Sequence, residues 1–201
     1  MKKKIFLTVF FLLLFLIVTC LTLTDNLTDF DNVIYNFLTN NRSIALDNYF
    51  KTMTKLANTI SVEIIGCIFL FVLNNTDKLK LISILGIAGL SNKILKVIIK
   101  RPRPSHLHLI NERGFSFPSG HAMGSMALYG FLLYLVYKKV KNKYLKIMLM
   151  IFLSYIIITI GISRIYLGVH YPSDILGGYL LSLAIILGVE VIYNKVKIKE
   201  Q

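Results

Sequence analysis

The sequence predicts an all-α membrane protein, a bundle of six transmembrane helices that forms one membrane-embedded domain over residues 1–201. Hydrophobic residues make up 55% of the chain and its mean hydropathy is +0.66, values that argue against every soluble class. Six segments are apolar and long enough to cross a bilayer core, which takes about 20 helical residues. Helices are expected because a strand edge facing lipid would leave its backbone groups unpaired.

The predicted spans follow one another with no linker or repeat that would divide the chain into domains. They cover approximately residues 5–24, 57–75, 79–99, 119–137, 146–163 and 174–194. The first follows three lysines and resembles a signal peptide. Its apolar run is longer than a signal peptide's core and no A-x-A-like site follows it, so we expect an uncleaved signal anchor.

Between the first two spans lies a segment, residues 25–58, that is too polar to cross the membrane. Its apolar residues recur at helical spacing in two groups, which predicts two amphipathic helices. The first group is Phe30, Val33, Ile34, Phe37 and Leu38, and the second is Leu46, Tyr49, Phe50 and Met53. We expect a helical lid or collar on the outer interface, and a packed outer loop without a substrate role is the alternative.

The distribution of basic residues predicts the orientation. With the N-terminus inside, thirteen of the 23 Lys and Arg residues fall on the inner face. Seven of the other ten lie within or near three short motifs. Both termini are therefore expected in the cytoplasm and the motifs at the outer face of the cell membrane. The net charge of +13 then reports topology, and we discount nucleic-acid binding.

The first motif ends the third span and reads K-V-I-I-K-R-P-R-P from Lys96 to Pro104, which places Arg103 seven residues after Lys96. Lysine as a point charge and arginine as a bidentate fork can both reach one oxyanion. Read alone, the cluster also fits simple anchoring to lipid headgroups. Arg101 beside it either widens the positive field or serves as such an anchor.

The second motif, F-P-S-G-H, opens the fourth span. Ser119 is a good N-cap, and the free N–H groups of a first helical turn attract phosphate. Gly120 lets an anion approach the backbone closely. His121 would lie at the edge of that anion and could exchange a proton with it.

The third motif reads S-R-I-Y-L-G-V-H-Y-P-S-D from Ser163 to Asp174. Arg164 ends the fifth span, His170 lies in a short loop, and Asp174 begins the sixth span. A carboxylate four residues after a histidine can orient the ring and support positive charge on it. The three motifs share one membrane face in the predicted topology, which supplies the groups for phosphoryl transfer without a metal.

Other classes find less support in the sequence. A metal-dependent phosphatase needs a carboxylate cluster, and only Glu112 and Asp174 of the ten acidic residues lie close to the motifs. We therefore predict no metal and no other cofactor. There is no Walker loop, so nucleotide is not an expected partner. The expected partners are a lipid substrate and the bilayer, and the oligomeric state stays open.

Together the motifs resemble the signature of the type 2 phosphatidic acid phosphatase superfamily, K-x6-R-P, P-S-G-H and S-R-x5-H-x3-D. All three occur in order, and in size and layout the chain is similar to small bacterial lipid phosphatases. The members it resembles are phosphatidylglycerophosphate phosphatase B and the undecaprenyl pyrophosphate phosphatases. A soluble vanadate haloperoxidase shares the signature but does not fit six apolar spans.

The resemblance implies a residue set and a two-step reaction. His170 would attack phosphorus and become phosphohistidine, Asp174 would orient it, and His121 would protonate the leaving oxygen. The phosphate would be held by five further residues, Lys96, Arg103, Ser119, Gly120 and Arg164. The resulting hypothesis is hydrolysis of a lipid phosphate or pyrophosphate at the outer face. The alternative is a non-catalytic protein that binds or transports lipid phosphate at the same anion site.

Overall fold

The computed structural model describes residues 1–40, 42–105 and 107–199, with side chains as far as Val196. The described residues form helices and contain no strand, which confirms the all-α prediction. The elements are α1 Lys2–Leu23, α2 Thr28–Thr39, α3 Ile44–Lys55, α4 Thr59–Val72, α5 Asn75–Ile99, α6 Gly120–Ser125, a π-helical turn Met126–Gly130, α7 Phe131–Lys139, α8 Lys143–Tyr166 and α9 Pro172–Lys199.

Among the described residues, four helices are long and apolar enough to cross a membrane by themselves, α1, α5, α8 and α9. A fifth crossing results if α3 and α4, which meet at 52°, form one bent span. The predicted second span is represented by α4, which begins at Thr59 behind an Asn58 cap. The predicted fourth span corresponds to α6, the π turn and α7, a continuous helical stretch in which the hydrogen-bonding pattern changes locally at the π turn.

Helix α9 lies at the centre of the bundle, in contact with α1, α2, α5, α6 and α8. Its start is packed closely against α6 because Gly177 and Gly178 carry no side chain. A Cβ on Gly178 would lie 3.0 Å from the Cβ of Ala122 and 3.1 Å from the carbonyl of Ser119. One on Gly177 would meet the ring of buried Phe117. This close approach brings the second and third motifs together.

The segment between α1 and α4 does form two amphipathic helices, as the spacing predicts. Helix α2 packs on α8 and α9 through Tyr35, with Ile34 and Leu38 beside it. Phe37 on the same helix is 79% exposed. In α3, the ring of Phe50 packs on Tyr166 at the end of α8, with ring centroids 4.6 Å apart. Both helices therefore cover the end of the bundle that carries the motifs.

The opposite end of the bundle is joined by buried charge. The Glu190 carboxylate near the end of α9 accepts hydrogen bonds from Lys80 at 2.6 Å, Lys4 at 2.9 Å and the Tyr134 hydroxyl at 2.8 Å. These partners come from α5, α1 and α7. Because a buried carboxylate is stable only when paired, Glu190 fixes the relative positions of four helix ends.

Candidate active site

The third motif folds as a helix end, a tight turn and a helix start. Gly168 in the turn has a φ of +80°, and a Cβ there would lie 2.2 Å from the carbonyl oxygen of Leu107. Only glycine fits that position without strain. The turn lets the N–H groups of Val169 and His170 bond back to the carbonyl of Arg164 at 3.2 Å. It thereby directs His170 toward the start of α9.

The start of α9 holds the histidine in place. Pro172 occupies the first helical position, where no N–H donor is needed. The Asp174 carboxylate reaches back to the N–H of Tyr171 at 2.9 Å, as in one half of a capping box. The same Oδ2 atom lies 3.1 Å from Nδ1 of His170. The predicted contact between residues four apart is therefore present, and both side chains are buried.

The second ring nitrogen of His170 contacts Arg103. Its Nε2 atom lies 3.3 Å from a terminal nitrogen of that guanidinium. Because a guanidinium only donates, Nε2 accepts, and the ring proton lies on Nδ1 facing Asp174. The imidazole is thus neutral, with its lone pair directed into the cluster of positive side chains.

Burial holds the pKa of His170 well below its usual value near 6.5, and the positive charges of Arg164, Arg103 and Lys96 lower it further. Both causes disfavour a cationic imidazole. The ring is therefore unprotonated at Nε2 at neutral pH, as a nucleophile requires.

The second motif is tied to the third through the backbone. Ser119 caps α6, its hydroxyl accepting from the N–H of Ala122 at 3.4 Å, and its own N–H donates to the carbonyl of Asp174 at 3.1 Å. That N–H already has a protein partner, so the backbone donors left at this helix start are those after Ser119. His121 lies on the first turn of α6, two residues after Ser119.

The first motif contributes one cation from the last turn of α5 and one from the segment that follows it. Arg103 donates to the carbonyls of Val169 at 2.8 Å, Arg113 at 2.9 Å and Gly114 at 3.1 Å. Lys96, one turn before the helix end, donates to the carbonyl of Phe115 at 2.8 Å. The loop over residues 113–115 therefore positions both cations.

Arg164 is 1% exposed and its charge is balanced by partners outside the motifs. It donates to the Thr54 hydroxyl of α3 at 2.8 Å and to the Glu112 carboxylate at 2.5 Å. The other oxygen of Glu112 lies 3.8 Å from Arg103. The Glu112 carboxylate thus lies between the two arginines and pairs with the charge of both.

Sequence reasoning missed three members of the site. It treated Arg101 as a field or anchoring residue, yet Arg101 donates to Asp174 at 2.6 Å and to Asp31 at 2.8 Å. Asp31 belongs to α2, and Glu112 belongs to the loop after the first motif. For Asp31 the available signal was its place on the face of an amphipathic helix that also carries Tyr35, and for Glu112 it was its closeness in the sequence to the motifs.

A cavity of about 680 Å³ opens beside the site between α4, α5 and α6. Its walls include apolar and small residues, Ala57, Val62, Leu85, Gly86, Ala88, Gly89, Met123 and Ala127. The lining also contains Gly120 and the polar or charged residues Thr59, Glu63, Asn92, Lys93, Glu112 and His121. The cavity therefore brings polar and apolar side chains together in the space between these helices.

Within the described ranges, no three His, Cys, Asp or Glu side chains come together in a way that could hold a metal ion. The predicted residues that meet are Lys96, Arg103, Arg164, His121, His170 and Asp174, with Ser119 and Gly120 at the adjoining helix start. Their charges and donors suit a phosphate group between His170 and His121.

Comparison with known proteins identifies the same family as the motifs. The family model of the PAP2 superfamily matches residues 77–198. Phosphatidylglycerophosphatase B of Bacillus subtilis is 38% identical over 138 residues, 68% of each chain. Undecaprenyl-diphosphatase BcrC of the same organism is 31% identical over 152 residues, 71% of this chain and 72% of the relative. The resemblance seen in the motifs is confirmed.

Two crystal structures share the architecture. The PAP2-type phosphatidylglycerolphosphate phosphatase of Bacillus subtilis superposes with a TM-score of 0.81 at 32% identity, covering 94% of this chain and 96% of that one. Aquifex aeolicus LpxE gives a TM-score of 0.64 at 25% identity, covering 83% and 95%. The likeness extends well beyond the motifs.

We predict that Arg103→Gln raises the pKa of His170 toward its ordinary value near 6.5, because one of the charges that disfavour the imidazolium is removed. Arg103→Lys keeps the charge and should change this pKa much less. Histidine NMR of the labelled protein in nanodiscs measures both. An equal rise in the two variants would show that the charge of Arg103 does not control the ring.

Proposed function

The chain belongs to the PAP2 superfamily, and from that premise we propose that it hydrolyses the phosphate or pyrophosphate of a membrane lipid through a phosphohistidine intermediate. The observation that carries the proposal is the state of His170. Its Nδ1 atom is tied to Asp174 and its unprotonated Nε2 atom faces Arg103. The curated relatives are named as phosphatases of lipid phosphates, which supports the same class.

In the first step Nε2 of His170 attacks phosphorus, and the bond from phosphorus to the leaving oxygen breaks. The ring becomes a phosphorylated imidazolium that keeps its Nδ1 proton, and the Asp174 carboxylate stabilises its positive charge. Protonated His121 donates its proton to the leaving oxygen. Binding of the phosphate anion beside His121 favours that protonated form.

In the second step water attacks the phosphohistidine. Neutral His121 accepts a proton from the water, the bond between phosphorus and Nε2 breaks, and inorganic phosphate leaves. Both histidines return to their initial protonation states. The step needs no other reactant than water.

The remaining motif residues stabilise the charge on the equatorial oxygens. Arg103 and Arg164 present guanidinium groups that the protein already orients, and Lys96 adds a point charge. Gly120 leaves room for an anion near the start of α6, which Ser119 caps. Such donors contribute most when their orientation precedes the reaction.

The cavity between α4, α5 and α6 supports an amphiphilic substrate. Its lining combines charged side chains with apolar and small ones, so a headgroup phosphate and part of an acyl or prenyl chain can lie there together. Phosphatidylglycerophosphate and undecaprenyl pyrophosphate both fit this description. A non-catalytic lipid-phosphate binder is the competing class, and the paired His170 and Asp174 favour catalysis.

We also propose six membrane crossings with both termini in the cytoplasm and the site at the outer face. The helical path from Gly120 to Lys139 runs through the π turn without a break, and its length suits one crossing. Lys4, Lys80 and Lys139 gather at the end of the bundle opposite to the site. That arrangement agrees with the positive-inside rule for the cell membrane.

Purified protein in EDTA should release phosphate from both candidate lipids. His170→Ala should reduce kcat below detection because the nucleophile is lost. His121→Ala should reduce it by about 10²–10⁴-fold because proton transfer is lost. The measurement is phosphate release from mixed micelles. His108→Gln changes an exposed histidine and serves as the control. Full turnover in the His121→Ala, His170→Ala double variant would exclude the proposed reaction.

The substrate cavity can be tested by filling it from α5. Gly89→Phe should lower hydrolysis of a long-chain lipid by about ten- to a hundredfold, since overfilling an apolar site costs about 1–3 kcal/mol. Hydrolysis of a short-chain, water-soluble phosphate monoester should change little. Ile94→Phe, on an exposed face of the same helix, is the matched control. Equal losses on both substrates would place the lipid chain elsewhere.

The orientation predicts that green fluorescent protein fused after the C-terminus fluoresces in intact cells, because it folds in the cytoplasm. Alkaline phosphatase at the same position should be inactive for the same reason. Active alkaline phosphatase would reverse the proposed topology.

A further inference from the structure

We propose that Asp31, on a helix outside the signature motifs, is a positioning residue for His170 and acts through Arg101 and Asp174. The inference rests on the proposed function and extends it to the segment between α1 and α4. It assigns that segment a part in the reaction rather than in packing alone.

Asp31 is 2% exposed, and both of its carboxylate oxygens are occupied. Oδ1 accepts from the N–H of Ser173 at 2.8 Å. Oδ2 accepts from the Ser173 hydroxyl at 2.7 Å and from Arg101 at 2.8 Å. Ser173 is the residue just before Asp174, so α2 is joined directly to the first turn of α9.

Arg101 bridges two carboxylates. One terminal nitrogen donates to Asp31, and the other donates to Oδ1 of Asp174 at 2.6 Å and to the Ser173 hydroxyl at 2.8 Å. Its guanidinium carbon lies 3.9 Å from the centre of the Tyr171 ring. The side chain is thus held from several directions, and each terminal nitrogen has its own carboxylate partner.

This arrangement decides which oxygen of Asp174 meets the histidine. A guanidinium with a single carboxylate partner favours a bidentate pair that takes both oxygens. Because the other terminal nitrogen of Arg101 donates to Asp31, Arg101 donates only to Oδ1 of Asp174. Oδ2 stays available for Nδ1 of His170 and the N–H of Tyr171.

The balance of charges also supports a positioning role for Asp31. Asp31, Arg101 and Asp174 together carry one net negative charge, as a lone Asp174 would. Without Asp31, the pair of Arg101 and Asp174 would be neutral and would offer little support to the imidazolium that forms on phosphorylation. Asp31 therefore keeps Asp174 effectively anionic toward His170 while Arg101 fixes its geometry.

Asp31→Asn tests the inference because the amide has the same shape without the charge. We expect kcat to fall by about ten- to a hundredfold, with KM changed by less than about twofold, since the residue acts on the nucleophile and not on substrate binding. Asp29→Asn makes the same chemical change on an exposed position of α2 and should leave kcat unaltered. Asp31→Glu should restore part of the lost rate.

A second change separates charge balance from packing. Adding Arg101→Gln to Asp31→Asn removes the cation that Asp31 balances, so kcat should recover in part relative to Asp31→Asn alone. A packing role predicts that the two losses add. An unchanged kcat in Asp31→Asn, or additive losses in the double variant, would overturn the inference.

Two further outcomes are decisive. If Asp31→Asn yields no folded protein, the double variant is compared with wild type. Retention of kcat within about tenfold supports charge balance, and complete loss contradicts it. If wild type itself releases no phosphate, the proposed function fails and the inference fails with it. Active wild type with an equally active Asp31→Asn variant overturns the inference alone.

Discussion

The buried carboxylate of Asp174 is the interaction on which the arrangement of the site depends. It accepts hydrogen bonds from His170, from the N–H of Tyr171 and from Arg101. The backbone carbonyl of Asp174 accepts a further hydrogen bond from the N–H of Ser119. An isolated carboxylate in this apolar bundle would be strongly destabilised. Its pairing therefore brings the loop histidine, the start of α9 and the start of α6 to one place.

A second buried carboxylate fixes the other end of the same helix. Glu190 lies about 24 Å further along α9, at about 1.5 Å per residue, and gathers Lys4 and Lys80. Apolar packing fills the bundle between the two clusters. Because each charge cluster has partners on several helices, the register of those helices relative to α9 is set at both ends.

The cations that we propose to bind phosphate illustrate how such a bundle can carry positive charge before a substrate arrives. Arg103 is held by main-chain oxygens, and Arg164 by Thr54 and Glu112. These hydrogen bonds offset the loss of hydrogen bonds to water, so the burial of each guanidinium is tolerated. The same contacts fix its direction, and a phosphate then meets donors that need little reorganisation.

Features that follow from short-range rules could be predicted from the sequence. Long apolar runs specify helices in lipid, Pro172 and Ser119 specify helix starts, and four-residue spacing joins His170 to Asp174. The number of spans did not follow from these rules, because the π turn after Ser125 and the bend before Thr59 have no signal in the hydropathy of the sequence.

The residues that complete the site from distant parts of the chain become apparent only in the folded protein. Asp31 and Ser173 are 142 residues apart, and Arg164 and Thr54 are 110 apart. Such pairs follow no periodicity, so the sequence could not select them among the other polar residues. They are chosen because a buried charge must find a partner wherever packing brings one within reach.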